Sequence, residues 1–344
     1  MGTALRVLLA VLCLVLVLGG AFWVFGPREP VDLTIRFDPA SIGDDPEAYL
    51  KRREADIPNL RPSAKKEIVW ADPRSKAKTP IAFVYLHGFS AAKPETRPLL
   101  DIAAREIGAN LFYTRLTGHG RDPAAMPQTS VKDWLNDLAE AIAIGRRIGE
   151  RVVIVGPSTG ATLATLGASV PGLMDGVAGL VFISPNYAVN DPLAFMLEVP
   201  MARTLLPRLG GAMRGFEPSN AAEAEGWTWR YPTEALAPLG ALVRATRSLD
   251  PAKIALPLLV FRSDQDRVVN SESTTLFIAR WGGPHEIVTV NDGEFIVDNQ
   301  LPGATAVIPE PSSFVLLGIG MTGLCGYGWR KRRKRQAAAC YATM

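Results

Sequence analysis

Cysteine is scarce in this sequence. The 344 residues contain three cysteines, and two of these lie in apolar segments near the chain ends while the third lies in the C-terminal tail: Cys13, Cys325 and Cys340. A disulfide framework or a thiolate metal site is therefore excluded from the long central part of the chain. No metal-ligand spacing, phosphate-binding glycine loop or nucleotide signature occurs either, so we expect no cofactor.

Excess charge is also small. The formal net charge is +3, and the basic run at 330–335 contributes six positive charges, so the rest of the chain (+3 less 6) carries −3. Nucleic-acid binding by the body of the protein is therefore not expected. The length allows one large domain with appendages, and nothing in the middle resembles a linker.

The N-terminal segment is strongly apolar. Residues 7–25 carry no charge and are long enough, as a helix, to cross a bilayer of about 30 Å. Residues 1–27 are therefore a membrane anchor or a signal sequence. The bulky aromatic residues at 22–25, where a cleavage site would have small side chains, favour an uncleaved anchor. Residues 28–65 are expected to be an extracytoplasmic linker.

The middle of the chain alternates short β-branched runs with longer amphipathic stretches. This pattern predicts a mostly parallel sheet with helices on both faces over residues 66–293. The predicted strands are 67–72, 81–86, 110–114, 152–155, 180–184, 258–262 and 286–290, and the predicted helices are 95–107, 131–148, 159–169 and 271–279. Between 185 and 250 the alternation lapses into helical, proline-interrupted sequence, which we interpret as an inserted lid.

One motif on this framework indicates a reaction. The predicted strand at 152–155 stops at Gly156-Pro157-Ser158-Thr159-Gly160 and continues as a helix of small residues. This arrangement is a nucleophile elbow, in which two glycines allow a sharp turn that exposes the serine hydroxyl. Ser158 is therefore the candidate nucleophile.

Because of this elbow motif and the strands and helices around it, the sequence resembles the α/β-hydrolase superfamily. It is most similar to the serine-aminopeptidase-like and monoacylglycerol-lipase-like branch. The segments 86–90 (Leu-His-Gly-Phe-Ser) and 115–120 (Arg-Leu-Thr-Gly-His-Gly) carry the resemblance further. It implies that the backbone N–H groups of Phe89 and Thr159 form the oxyanion hole. It also implies that His87 and His119 pack loops rather than act as bases.

The acid of the triad is implied by the same resemblance. The segment 261–269 matches the family's acid loop and places Asp266 in the aspartate position, whereas Asp264 is the alternative. The position relative to Val268 and Val269 favours Asp266.

The histidine that the family supplies from the loop after its last strand is missing. That loop should start near Asn291, and no histidine follows His285. Since His285 precedes the last predicted strand, it should lie at the opposite edge of the sheet from Ser158. The family's closing helix is missing from the sequence as well.

The C-terminal end has three parts: a Pro-Glu-Pro sequence at 309–311, an apolar stretch at 314–329 and the basic run at 330–335. It resembles the PEP-CTERM sorting signal, also catalogued as an ice-binding protein C-terminal domain. We assign 294–306 to a linker, 307–335 to this signal and 336–344 to a tail. The apolar stretch of the signal is expected to form a second transmembrane helix. The resemblance implies processing by an exosortase-type protease in a Gram-negative bacterium.

These patterns predict an inner-membrane-anchored serine hydrolase with a periplasmic or cell-surface domain. It would cleave a small-molecule ester or lipid, as carboxylesterases and acylglycerol lipases do, and would be impaired by the absence of the catalytic histidine. The alternative is a non-catalytic, surface-sorted protein that carries a remnant hydrolase fold.

Overall fold

Within the described part of the chain, the larger of two sheets has seven strands, in the order β1-β3-β2-β4-β5-β8-β9. It is seen in a computed structural model that describes residues 2–290. The strands are β1 (Glu67–Val69), β2 (Thr79–Tyr85), β3 (Asn110–Tyr113), β4 (Gly149–Pro157), β5 (Val177–Ile183), β8 (Leu258–Arg262) and β9 (His285–Thr289). Only β1 runs antiparallel to its neighbour. All seven predicted strands are confirmed, and the sheet is mostly parallel as expected.

Helices cover the sheet. They are α2 (Pro46–Ala55), α3 (Leu99–Glu106), α4 (Val131–Ile148), α5 (Ser158–Gly167), α8 (Leu236–Arg247) and α9 (Ser271–Ile278). Side chains along each central strand alternate between two buried clusters, as Val84 and Tyr85 do on β2. Because both faces of the central strands are buried, these strands are almost continuously apolar. The four helices that the sequence predicted are present, with ends shifted by a few residues.

The long helix α4 illustrates why these segments fold where they do. It begins at a capping box, in which Ser130 accepts from the N–H of Asp133 and the Asp133 carboxylate accepts from the N–H of Ser130. Two orphan donors of the first turn are satisfied in this way. The apolar face of α4, which includes Trp134 and Leu138, then packs into the larger core cluster.

The segment predicted as a linker is folded onto the domain. Within 28–65, the side chains of Ile42, Tyr49 and Leu50 are buried in the same core cluster as Trp134. The Tyr49 hydroxyl donates to Glu140 of α4 over 2.6 Å. The sequence pattern missed this because α2 is polar overall and buries only a few side chains, so its periodicity is weak.

An insert lies between β5 and α8, over residues 185–235. It contains α6 (Ala202–Gly210), the two-stranded pair β6 (Met213–Gly215) and β7 (Arg230–Pro232), and α7 (Ala221–Gly226). Helix α8 belongs to the main domain, because Ala241 and Leu242 are fully buried in the core cluster. The inserted part therefore ends before α8 rather than at residue 250.

The N-terminal helix α1 (Thr3–Phe25) has a different environment. Its 23 residues form a helix long and apolar enough to cross a membrane. None of the most apolar 18-residue stretch of this helix is buried against the rest of the protein. The second predicted membrane helix, at 314–329, and the rest of the C-terminal end lie outside the described residues.

A buried ion pair joins α2 to the loop after β3. The Arg115 guanidinium donates to Glu54 over 3.0 Å, and both side chains are less than a tenth exposed. Removing one charge of a buried pair leaves the other without compensation. We expect Glu54→Gln to lower the free energy of unfolding by about 3–5 kcal/mol, measured by urea denaturation in detergent micelles.

The matched control is Glu47→Gln. Glu47 also lies on α2 and also pairs with a cation, Lys76, but both side chains are close to half exposed. This control should cost less than about 1 kcal/mol. Equal losses for the two variants would contradict the special role of the buried pair.

Candidate active site

The turn between β4 and α5 presents Ser158 at the carboxyl edge of the sheet. Ser158 has a positive φ of 43° at the first position of α5. A Cβ on Gly156 would lie 2.7 Å from the N of Ala161, and one on Gly160 would lie 1.9 Å from the Leu86 carbonyl oxygen. The strand and helix can therefore approach this closely only with glycine at both positions. This geometry is a nucleophile elbow.

The loop after β2 forms the opposite side of the site. The N–H of Gly88 donates to the Glu95 carboxylate over 2.8 Å, and the Tyr85 hydroxyl donates to the same oxygen. A Cβ on Gly88 would lie 2.5 Å from the other Glu95 oxygen, so a larger residue here would require the Glu95 side chain to shift. Burial, and then the neighbouring Glu95 charge, raises the pKa of Tyr85 well above its usual value. Tyr85 therefore stays a hydrogen-bond donor, and Glu95 holds the loop in place.

Phe89 follows directly in that loop. Its ring makes edge-on contacts with His119, Tyr231 and Trp134, at centroid distances of 5.6, 5.3 and 6.5 Å. Within residues 2–290, neither the N–H of Phe89 nor that of Thr159 donates to a protein acceptor. Both residues line the same cavity as Ser158. Two free N–H groups beside a serine are what an oxyanion hole requires.

The two histidines near the loop are buried and engaged with backbone. His87 donates from Nδ1 to the Gly88 carbonyl oxygen over 2.8 Å and accepts at Nε2 from the N–H of Leu116 over 2.9 Å. His119 donates from Nδ1 to the Thr117 carbonyl oxygen over 3.2 Å. Burial lowers the pKa of His87 well below its usual value and that of His119 to about 4. Both rings are therefore neutral packing groups at physiological pH.

The acid loop follows β8 at the same edge of the sheet. The carboxylate of Asp266 is half-buried and accepts from the N–H groups of Val268 and Val269, over 2.9 and 2.8 Å. Asp264, the sequence alternative, is exposed and pairs with Arg262. Since β5 alone separates β4 from β8, the ends of these two strands, which precede Ser158 and Asp266, lie about 10 Å apart at the same edge of the sheet.

His285 is remote from this edge. It is the first residue of β9 and pairs in register with Leu258 at the start of β8, whereas the acid loop follows the end of β8. No histidine lines the cavity at Ser158 among residues 2–290. The loop predicted to hold the family's histidine begins at Asn291, outside the described residues.

The cavity in front of Ser158 has a volume of about 480 Å³. Its walls come from the hydrolase edge and from the insert, and most are apolar. The apolar lining includes Val189, Leu193, Met196, Leu197, Leu206, Leu209, Trp227, Leu236, Leu239 and Val268. Phe89, Ser158 and Thr159 thus line one cavity. Asp266 does not line it, although Val268, whose N–H donates to Asp266, does.

Two lining residues were missed by sequence reasoning. Glu95 was placed at the start of a predicted helix, but it lies in a short 3-10 turn beside the Gly88 N–H. Asn186 is almost fully buried, its N–H donates to the Ser158 carbonyl oxygen over 3.3 Å, and its side-chain oxygen has no partner within the described part of the chain. The order of residues carries no signal for either contact, because both arise from loops that meet only in the folded protein.

A mostly parallel sheet with a serine elbow after its fourth strand defines the α/β-hydrolase class. A sequence profile of the alpha/beta hydrolase family matches residues 83–299, which is more than half of the chain. The protein belongs to the alpha/beta hydrolase family.

Solved structures share this fold. A structure described under two metagenome-derived lipolytic enzymes, LipS and LipT, is 23% identical, covers 67% of this chain and 89% of its own, and superposes with a TM-score of 0.55. A soluble variant of monoglyceride lipase from Saccharomyces cerevisiae, in complex with a substrate analogue, is 13% identical, covers 75% of this chain and 90% of its own, and has a TM-score of 0.53. No curated protein matches the sequence.

The C-terminal end matches a second profile. Residues 307–333 match the PEP-CTERM protein-sorting motif, which confirms the resemblance seen in the sequence. The motif indicates extracytoplasmic sorting in a Gram-negative bacterium, and α1 fits a membrane anchor or a signal sequence.

The buried imidazole of His119 should make stability depend on pH. Its pKa is about 4 in the folded protein, against about 6.5 in an unfolded chain, so between these values the unfolded chain binds more protons. Stability should therefore fall as the pH drops below about 6.5 and level off near pH 4. From pH 7 to pH 5, His119→Phe should lose about 2 kcal/mol less than wild type.

Urea denaturation at a series of pH values measures this difference. Phenylalanine keeps a ring among Phe89, Trp134 and His87 but removes the titrating group. The exposed His285, replaced as His285→Gln, is the control. A pH dependence of His119→Phe that matches wild type would contradict the assignment.

Proposed function

We propose that the protein is a membrane-anchored serine hydrolase that cleaves carboxylic esters with an apolar acyl group. Ser158 at the elbow, opening into a largely apolar cavity of about 480 Å³, is the observation that carries the proposal. The Ser158 hydroxyl attacks the ester carbonyl carbon, and the N–H groups of Phe89 and Thr159 stabilise the oxyanion. The C–O bond to the alcohol then breaks, the alcohol leaves with the proton lost by Ser158, and water hydrolyses the acyl-enzyme to release the carboxylic acid and restore the serine hydroxyl.

The insert serves as the lid of this site. Its residues Leu206, Leu209 and Trp227 line the cavity, so an acyl chain lying against them is shielded from water. Two similar structures are described as lipolytic enzymes and as a monoglyceride lipase, which is consistent with an apolar acyl group. Here the acyl preference follows from the apolar walls alone.

The proton from Ser158 needs a base. Asp266, whose carboxylate accepts from the Val268 N–H, is the residue that would orient an imidazole, and no histidine follows β9 in the sequence. Without the base, about 10³-fold rate acceleration over water remains from the oxyanion hole and binding. The proposed enzyme is therefore slow, and its activity should rise if an imidazole is provided at this point.

The second candidate is a non-catalytic, surface-sorted protein with a remnant hydrolase fold. It is favoured by one observation: of the three histidines in the sequence, two are held by backbone groups and the third lies at the far edge of the sheet. In either case the PEP-CTERM motif makes an exosortase-type protease the expected processing partner and the cell envelope the expected location.

A fluorophosphonate probe tests the two candidates on the full chain in detergent. The first predicts slow covalent labelling at Ser158 that is absent in Ser158→Ala. It also predicts that a histidine placed after β9, as Asn291→His, Asp292→His or Gly293→His, raises the labelling rate by about 100-fold or more in at least one variant.

Asp292→Gln is the matched control, because it changes the same position without adding an imidazole. An unlabelled wild type, together with no gain in any histidine variant, would favour the remnant fold. Labelling that persists in Ser158→Ala would reject Ser158 as the nucleophile.

A further inference from the structure

The C-terminal end of α1 packs against the insert. The N–H of Met201 donates to the Pro27 carbonyl oxygen over 2.6 Å. A Cβ on Gly26 would lie 2.5 Å from the Pro200 Cβ, so the backbone that follows α1 is in direct contact with the insert at Pro200. The apolar helix is therefore joined directly to the segment that covers the active site.

Polar contacts reinforce the junction. Arg28 donates to the Glu198 carbonyl oxygen over 3.2 Å, and Arg203 donates from Nε to the Glu29 carboxylate over 3.0 Å. The Arg244 guanidinium of α8 donates to the Glu29 carbonyl oxygen over 3.0 Å. We call these contacts of Arg28 and Glu29 the clamp. They fix the direction in which α1 leaves the domain.

The turn that receives α1 lies between two elements that line the cavity. The 3-10 turn Ala194–Leu197 precedes it, and α6 follows it. Nine residues of helix rise about 13 Å, so Leu209, at the cavity end of α6, lies within that distance of the junction. The mouth of the cavity is therefore close to the point where α1 ends.

The insert exposes large apolar side chains around this mouth. Leu193 is 66% exposed, Phe195 53% and Leu209 67%, and Leu193 and Leu209 also line the cavity. Clustered apolar groups of this kind on a protein surface mark a contact with a protein or a membrane. The 23-residue apolar helix that ends at Pro200 and Met201 of the same insert favours a bilayer as the partner.

The junction carries the groups expected at the surface of a membrane. The Arg28 guanidinium lies 5.4 Å from the centre of the Trp23 ring and donates to the Trp23 carbonyl oxygen over 2.7 Å. Tryptophan rings and long basic side chains favour the interface between acyl chains and headgroups. The residues at 22–28 therefore mark the depth at which α1 leaves the membrane.

We propose that the insert rests on the lipid bilayer, with the clamp holding the mouth of the cavity against the leaflet from which α1 emerges. Leu193, Phe195 and Leu209 enter the interfacial region, and the cavity exchanges apolar ligands with that leaflet rather than with water. This inference rests on the uncleaved anchor of the proposed function. It is independent of whether Ser158 is catalytically active.

Fluorescence of a lipid-facing label tests the proposal on the full chain. With Cys13, Cys325 and Cys340 replaced by serine, a single cysteine is introduced as Leu193→Cys or Leu209→Cys. The matched control is Leu276→Cys, because Leu276 on α9 is 64% exposed and contributes nothing to the cavity. Each variant is labelled with a nitrobenzoxadiazole dye and reconstituted into phosphatidylethanolamine–phosphatidylglycerol vesicles.

Blue-shifted emission at 193 and 209, quenched at least about threefold more by nitroxide-bearing lipids than emission at 276, is the expected result. Water-like emission at 193 and 209 in protein that stays with the vesicles would overturn the proposal while leaving the anchor intact. A blue shift without quenching by the lipid probe would also overturn it, because the label then lies inside the protein's own cavity or against a second protein copy rather than in lipid.

The clamp and the anchor are tested separately. Arg203→Gln removes the ion pair with Glu29, so quenching at 209 should fall while the protein remains in the vesicles. Unchanged quenching would reject the role of the clamp. Recovery of the protein from cells as a soluble form lacking residues 1–27 would overturn the anchor and this inference together, and fluorophosphonate labelling would still report on Ser158.

Discussion

The close contact between α5 and the end of β2 is the constraint on which the site depends. The helix backbone at Gly160 lies against the Leu86 carbonyl oxygen, and Gly156 lies against the backbone of the same helix. This contact forces the positive φ of Ser158 and lifts the residue out of the sheet. It also brings the loop after β2 alongside the first turn of α5, so Phe89 and Thr159 line the same cavity as Ser158.

Buried polar contacts maintain that loop. Glu95 accepts from the Gly88 N–H, and the neutral His87 links the Gly88 carbonyl oxygen to the N–H of Leu116 on the loop after β3. Arg115 on that second loop is paired with Glu54 of α2. The N-terminal segment therefore supports the loop after β2 from behind, and the geometry around Ser158 depends on residues far outside the elbow.

Sequence periodicity predicted the body of the domain well, because the central strands are buried on both faces and the helices present clear apolar stripes. It failed where burial is local. Among the apolar side chains of helix α2, mainly those of Tyr49 and Leu50 are buried, and the helix is polar overall. The segment 28–65 was therefore expected to be a linker. The end of the insert was misplaced because α8 is apolar enough to pass for either a lid or a core helix, and only its contact with α5 settles which it is.

The sequence by itself determined the family, the serine of the elbow motif, the segment that matches the acid loop, the apolar N-terminal segment and the apolar and basic C-terminal segments. Each of these features is carried by consecutive residues, so a local pattern is enough to identify it. It also determined that no histidine follows the last strand. Tertiary structure alone decided that Asp266 rather than Asp264 is held by backbone N–H groups, that Glu95 and Asn186 border the cavity, and that α1 is clamped to the insert. These facts join residues far apart in the chain, and their distances depend on how the loops pack, which no local pattern encodes.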